Sequence, residues 1–357
     1  MNKDYFISGI QQIGIGCEHM ETSWKWYIDN FNTDVRILED DTVAELMLPY
    51  TGNQPQKRHA CVAVNLQGGG GFEIWQYSER KPCPINFDIQ IGDLGIFAAK
   101  IKSRDVKALH DKMAAKHNTI SECTTTPDGT PCFYLKDPFG NYFQIIENPD
   151  VFIDEKQLAG GTVGAMVGVS DIEKALPVYQ DILGYDTVVY DKTGVFDDWK
   201  FMNGGDQQYR RVLLKQTEER KGAFGQIFGC SSIELVIALD RTPRKIYEGR
   251  FWGDPGFIQL CYDITHMKAL EEYCAAKGFP FTVDSCAGQS TFNMGDAAGH
   301  FTYIEDPDGT LIEFVETHKI PIAKKLGLFI NLTKRNREKA IPKFMLRMLR
   351  FNKVKFD

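Results

Sequence analysis

Tyr134-Leu135-Lys136-Asp137-Pro138-Phe139-Gly140-Asn141-Tyr142-Phe143-Gln144 and Tyr303-Ile304-Glu305-Asp306-Pro307-Asp308-Gly309-Thr310-Leu311-Ile312-Glu313 are two copies of one strand-turn-strand cassette. Both read Tyr-x-x-Asp-Pro-x-Gly and then run apolar, so each predicts a hairpin closed by a Pro-Gly turn. They end differently. Gln144 offers a neutral carbonyl where Glu313 offers a carboxylate, so the two halves of the chain are not chemically equivalent.

Each cassette closes a longer repeating unit. Apolar strands are predicted at residues 9–17, 94–101, 162–169 and 257–264. They lead into helices at 20–31, 105–117, 171–183 and 266–277, where apolar residues recur at three- and four-residue spacing. Three further β-rich stretches complete each unit, giving four units of roughly 75 to 90 residues. Glu147-Asn148-Pro149-Asp150 breaks the last strand of the second unit. The expected domains are therefore 1–150 and 151–318, followed by an extension over 319–357.

This βαβββ repeat with its Asp-Pro-x-Gly hairpin resembles the vicinal oxygen chelate superfamily of glyoxalases, extradiol dioxygenases, epimerases and bleomycin-binding proteins. The resemblance covers about residues 7 to 318. It implies an α+β fold: two tandem domains, each a pair of βαβββ modules forming a cupped sheet, with a basic helical C-terminal tail expected outside the resemblance. The superfamily's activities are too diverse for the fold to name one.

In that family the metal-binding side chains come from the first and last strand of each module. Carried over by motif, the positions are Gln12 and Glu73, Ala98 and Gln144, Gly164 and Glu234, and Gln259 and Glu313. Alanine and glycine cannot coordinate. With modules paired in sequence order, the second half offers Glu234, Gln259 and Glu313, and the first half offers the weaker set Gln12, Glu73 and Gln144. Two carboxylates and an amide oxygen are hard donors suited to a divalent ion such as Mn, Mg, Fe, Ni or Zn. Without a metal, the same side chains would line a polar cavity or form a hydrogen-bonded plug.

The catalytic candidates are Glu313, Glu234, Tyr303 and His300. A carboxylate that ligates a metal and also takes a proton beside a carbonyl fits enolisation. Tyr303 offers a hydrogen bond to an oxyanion, or simply an aromatic ring in the core. His300 suits acid-base work near neutral pH, or a solvent-facing place after Gly299. The resemblance therefore implies a divalent-metal-dependent lyase, isomerase or epimerase acting on a small oxygen-chelating metabolite. A metal-free sequestering cup of the bleomycin-resistance type is the alternative. Extradiol ring cleavage is disfavoured, because Gly164 and Gln259 stand where those enzymes carry iron-binding histidines.

Composition narrows the setting. There are nine cysteines without a Cys-x-x-Cys pair, no apolar run of membrane-spanning length and no signal-peptide pattern, so a cytoplasmic protein is expected. From Lys319 onward, twelve Lys and Arg face only Glu338 and Asp357, a local +10 that leaves −17 for the rest. So acidic a body argues against nucleic-acid binding. The tail carries Ile341, Phe344, Met345, Met348 and Leu349 at helical spacing between basic residues, which suits docking on the acidic body or a second subunit, as in a homodimer. An anionic membrane surface is the competing partner. The insert 195–229, with Phe196 and Trp199, is long enough for a lid over the second cup or an extended hairpin. Gly68-Gly69-Gly70-Gly71 reads as a turn, since no helix follows to make a phosphate cradle.

Overall fold

The computed structural model describes residues 3–287, 291–294, 297–323 and 327–356. Lys324, Lys325 and Leu326 of the expected basic extension lie outside the described residues.

Four βαβββ modules follow one another. The first contains β1 (Phe6–Gly16), α1 (Met20–Phe31), β2 (Val35–Ala44), β3 (Gln56–Val64) and β4 (Gly71–Tyr77). The second contains β5 (Gly95–Ser103), α2 (Val106–Ala114), β6 (Thr124–Thr125), β7 (Pro131–Lys136) and β8 (Tyr142–Glu147). In the third, β9 (Ala159–Gly168) and α3 (Ile172–Leu176, continued by a π-helical turn Pro177–Ile182) precede β10 (Thr187–Gly194), β11 (Tyr209–Lys215), the short α4 (Gly225–Phe228) and β12 (Ser232–Ala238). The fourth comprises β13 (Gly256–Thr265), α5 (Met267–Ala276), β14 (Val283–Asp284), β15 (Phe292–Met294), β16 (Ala297–Glu305) and β17 (Leu311–Ala323). Beyond it come β18 (Leu328–Asn331) and α6 (Lys343–Arg347), which runs into a 3-10 turn Met348–Asn352.

The first and last strands of every module run parallel and adjacent. Modules then join through their first strands, but not in the sequential pairs expected. β1 pairs antiparallel with β13 and β5 with β9, so module 1 shares a sheet with module 4, and module 2 with module 3. The short connection from β8 to β9 explains the choice. It sets β9 directly alongside β5, and the free edge of β1 then remains for β13. Gly16 permits that approach, since a Cβ there would lie 2.1 Å from the Asp254 carbonyl oxygen.

The glycine-rich turn of module 1 meets the entry to β9. Gly70 and Thr162 exchange backbone hydrogen bonds of 2.8 and 2.9 Å, and Gly161 N–H donates to the Gly68 carbonyl at 2.8 Å. A Cβ on Gly161 would sit 2.1 Å from Gly70 O. The two glycine runs are therefore one close backbone contact that ties the sheets together.

Between the sheets, the helices and both convex faces share one core. Trp24, Tyr27 and Phe31 of α1 are almost fully buried, against Phe72 of one sheet and Phe143 of the other. Each Asp-Pro-x-Gly aspartate serves this core. Tyr27 donates to Asp137 at 2.9 Å and Tyr179 to Asp306 at 3.0 Å, while the same aspartates accept backbone N–H groups of their own turns. The repeat is thus a turn whose aspartate is anchored by a tyrosine from a different module.

The C-terminal extension docks on the body. Ile341, Leu346 and Leu349 are buried in a cluster with Val35 and Val64 of module 1, Phe224, Ile227 and Phe228 of module 3, and Ile320 and Ile330. Lys353 reaches Asp34 and Glu155, and Arg350 reaches Glu155, at 3.0–3.1 Å. The buried stripe differs from the one expected in one member. Phe344 is 70% exposed and Leu346 takes its place on the buried side of the short helix.

Candidate active site

Register brings four polar side chains together in the module 1/module 4 cup. Gly14 lies opposite Glu73 on β4, and Cys261 opposite Glu313 on β17. Gln12 and Gln259, two residues earlier on β1 and β13, face the same way as those positions, since strand side chains alternate. Gln259 crosses over Gly14, where a Cβ would lie 2.6 Å from its Oε1. Its Nε2 donates to Glu73 Oε2 at 2.8 Å and to Glu313 Oε2 at 3.3 Å, and its Oε1 accepts from Trp252 Nε1 at 3.1 Å. Gln12 is buried, and its Oε1 has no hydrogen-bond partner among the described residues.

Electrostatics mark the same spot. Burial raises the Glu313 carboxyl well above the ordinary carboxylate range, and neighbouring Glu73 adds to the shift. Glu73 is raised too, chiefly by burial, although Arg58 opposes it. Its surface is half-buried because the carboxylate opens onto the cavity. Two like charges this close cannot both ionise cheaply, so the pair retains a proton or attracts a cation. Tyr303 pairs with Glu313 across the β16–β17 ladder and its hydroxyl donates to that carboxylate.

Glu73, Glu313 and the orphaned carbonyl of Gln12 fit a divalent cation. They supply two charges and hard oxygens. Gln259 would complete the set after a half-turn of its amide that gives up the Trp252 contact. Among the described residues no three His, Cys, Asp or Glu side chains converge on one point, so any metal here would need the amides.

The other cup is already filled by protein cations. Glu234 on β12 accepts from Lys100 Nζ at 3.0 Å, and from Arg211 Nε and the Tyr190 hydroxyl at 2.6 Å each. Burial pushes its carboxyl up, but Arg211 and Lys100 outweigh that and hold it down at about 2. Arg211 also pairs with Asp198 at 2.8 Å and lies 3.7 Å over the Trp199 ring. Gln144 donates to the Tyr134 hydroxyl at 2.8 Å, which Trp199 also contacts at 3.1 Å. Ala98 and Gly164 add no donor.

Neither expected ligand set is assembled as grouped in sequence order. Glu234 stands in a different sheet from Gln259 and Glu313, and Gln144 in a different sheet from Gln12 and Glu73. The β1–β13 pairing regroups them, placing Gln12 and Glu73 in one sheet with Gln259 and Glu313, and Gln144 in the other with Glu234. His300 also stands apart. It bonds Asp284 at 2.5 Å and lines a second, polar cavity with Asp263, His266, Glu316 and His318, on the opposite face of β16 from Tyr303. The insert 195–229 divides between the cups: Phe196 and Trp199 pack on Arg211, and Phe224, Ile227 and Phe228 reach the module 1/module 4 cavity. Lys100 and Arg211 had a signal in sequence, each being a cation inside an apolar strand.

Gln12, Glu73, Tyr303 and Glu313 open onto a cavity of about 560 Å³, within the range of small-molecule sites. Residues 9–145 match the family model described as Glyoxalase/Bleomycin resistance protein/Dioxygenase superfamily. That match covers the first two modules, and the same modular fold repeats in the other two. Among solved structures it is similar to glyoxalase I from Zea mays, at 15% identity and TM-score 0.52, covering 86% of this chain and 92% of that one. It is also similar to a putative dioxygenase from Bacillus subtilis subsp. subtilis str. 168, at 13% identity and TM-score 0.54, covering 87% and 86%. Such identities speak for the fold alone. No curated protein matches the sequence.

Proposed function

We propose that the chain is a divalent-metal-dependent enzyme that moves a proton on a small oxygen-chelating substrate, in the cup shared by modules 1 and 4. The observation that carries this reading is the convergence on one cavity of Glu73, Glu313 and the Gln12 carbonyl, which has no hydrogen-bond partner among the described residues. Glu73, Glu313 and Gln12, with Gln259 after its amide turns, would hold the ion. When bound, a divalent cation would polarise a substrate carbonyl and acidify the carbon beside it.

The chain's own groups supply the proton transfer. Glu313, whose carboxylate lines the cavity and stands across the ladder from Tyr303, is placed to act as base and then as acid. It takes the proton from the carbon beside the carbonyl and returns it to the same or the adjacent carbon. The Tyr303 hydroxyl orients the Glu313 carboxylate. Trp252, packed at 4.5 Å on Trp75, backs Gln259 and keeps water from that side. Nine free cysteines support a reducing, cytoplasmic setting.

The Gln259 amide bridging both carboxylates favours a second reading, a metal-free cup that sequesters its ligand. Proton exchange separates the two. Protein loaded with Mn, Ni or Zn should catalyse deuterium incorporation from D2O at the carbon beside the carbonyl of hydroxyacetone, followed by NMR, and Glu313→Gln should abolish it. Binding without exchange under every metal would leave sequestration.

A further inference from the structure

We propose that the C-terminal extension forms the end wall of this cavity and thereby makes the ligand an amphiphile, with an oxygen-bearing head at Glu73 and Glu313 and an aliphatic or aryl body directed at Leu346 and Leu349. The inference rests on the proposed function for the head of the ligand only. Leu346 and Leu349 are 1% and 4% exposed, and both line the cavity that Glu73 and Glu313 also line.

Two strands lead from the polar end to the tail. On β3, Val62 stands opposite Glu73, and Val64 follows on the same face. On β17, Val315 and Thr317 follow Glu313 with the same alternation, and Ile320 lies beyond. Four residues of strand span about 13 Å. The walls of that stretch are mostly valine, isoleucine, leucine and phenylalanine, and Val64, Ile320, Leu346 and Leu349 belong to one buried apolar cluster. Water there would be exchanged for a hydrocarbon surface at a gain, whereas a second charged group would lie without a partner. The tail is held to the body by its own backbone pairing, with Val354 N–H donating to the Asp34 carbonyl at 2.8 Å, so the wall is a fixed part of the fold.

Binding of acetohydroxamate, butanohydroxamate, hexanohydroxamate and octanohydroxamate to the full chain, with Mn present and after chelation, tests this. Affinity should rise about fourfold per added methylene. Leu346→Trp, which fills the end of the cavity, should cancel the rise for the longer members and spare acetohydroxamate. Leu349→Ala should extend it, and Phe344→Ala, on the exposed side of the same helix, should change nothing. General damage to the tail would move the Trp and Ala variants in one direction, so opposite effects are diagnostic. Affinity independent of chain length, or equal weakening of all four probes by Leu346→Trp, would overturn the wall. A chain-length gradient that survives chelation unchanged keeps the wall and removes the metal. Metal-dependent binding of acetohydroxamate with no gradient does the reverse.

Discussion

Glu73 and Glu313, from modules at opposite ends of the chain, share a single hydrogen-bond donor, Nε2 of Gln259, at 2.8 and 3.3 Å. The arrangement exists because β1 and β13 are neighbours. Each contributes a glutamine, and each lies beside a last strand that contributes a glutamate. In the sister sheet the same four positions hold Ala98, Gln144, Gly164 and Glu234, and Lys100 and Arg211 neutralise the one carboxylate. One pair of modules keeps an open anionic cup, and the other has closed its cup with side-chain cations.

The raised carboxyls set a pH dependence. Glu73 and Glu313 keep their protons to higher pH folded than unfolded, so the metal-free folded state binds more protons above the ordinary carboxylate pKa of about 4.3. Their contribution to stability is full below that value and is lost as pH rises through the raised values. Thermal melts of chelator-treated protein between pH 5 and pH 8 should show a steeper loss for wild type than for Glu313→Gln. Parallel slopes would mean that the pair is not coupled to folding.

Metal affinity should run the other way. Binding requires both carboxylates deprotonated, so it releases protons and tightens as pH rises through the same window. Calorimetric titration with Mn in buffers of different ionisation enthalpy reads the released protons directly. An affinity that is flat from pH 6 to pH 8 would contradict the raised carboxyls.

Breaking the filled cup should cost stability and spare the metal. Arg211→Ala leaves Glu234 and Asp198 short of their main cation in a buried site, and loss of one partner of such a pair costs about 3–5 kcal/mol. A melting temperature within a degree of wild type would show that the cluster is not the structural core of that sheet.

The glycine contact between the sheets is equally testable. Gly161→Ala places a methyl group 2.1 Å from the Gly70 carbonyl oxygen, and neither backbone can retreat without breaking the paired hydrogen bonds to Thr162 and Gly68. Overpacking of this kind costs about 1–3 kcal/mol, with more where backbone must move. Denaturant melts measure it, and an unchanged midpoint would remove the contact's structural role.

Local signals made much of this architecture legible. Asp137 and Asp306, each before a proline and three residues before a glycine, located both cassettes, while the eight cup positions came from the resembled family's motif, with Glu234, Gln259 and Glu313 also marked as polar residues inside apolar strands. Which modules pair was not legible, because β1 and β13 meet through backbone hydrogen bonds that leave no local signature. The ligand groups inherited that error. Leu346 was hidden for another reason: Phe344 is the larger apolar side chain of the same short helix, yet it is the one left exposed while Leu346 is buried.

The central claim is that one metal site is built by modules 1 and 4. Elemental analysis of wild type, Glu73→Ala, Glu313→Ala and Gln144→Ala, each purified without chelator and offered Mn, Fe, Ni and Zn, tests it most directly. The account predicts about one divalent ion per chain in wild type and in Gln144→Ala, and none in either glutamate variant. No metal in wild type, or retention by Glu73→Ala together with loss from Gln144→Ala, would contradict it.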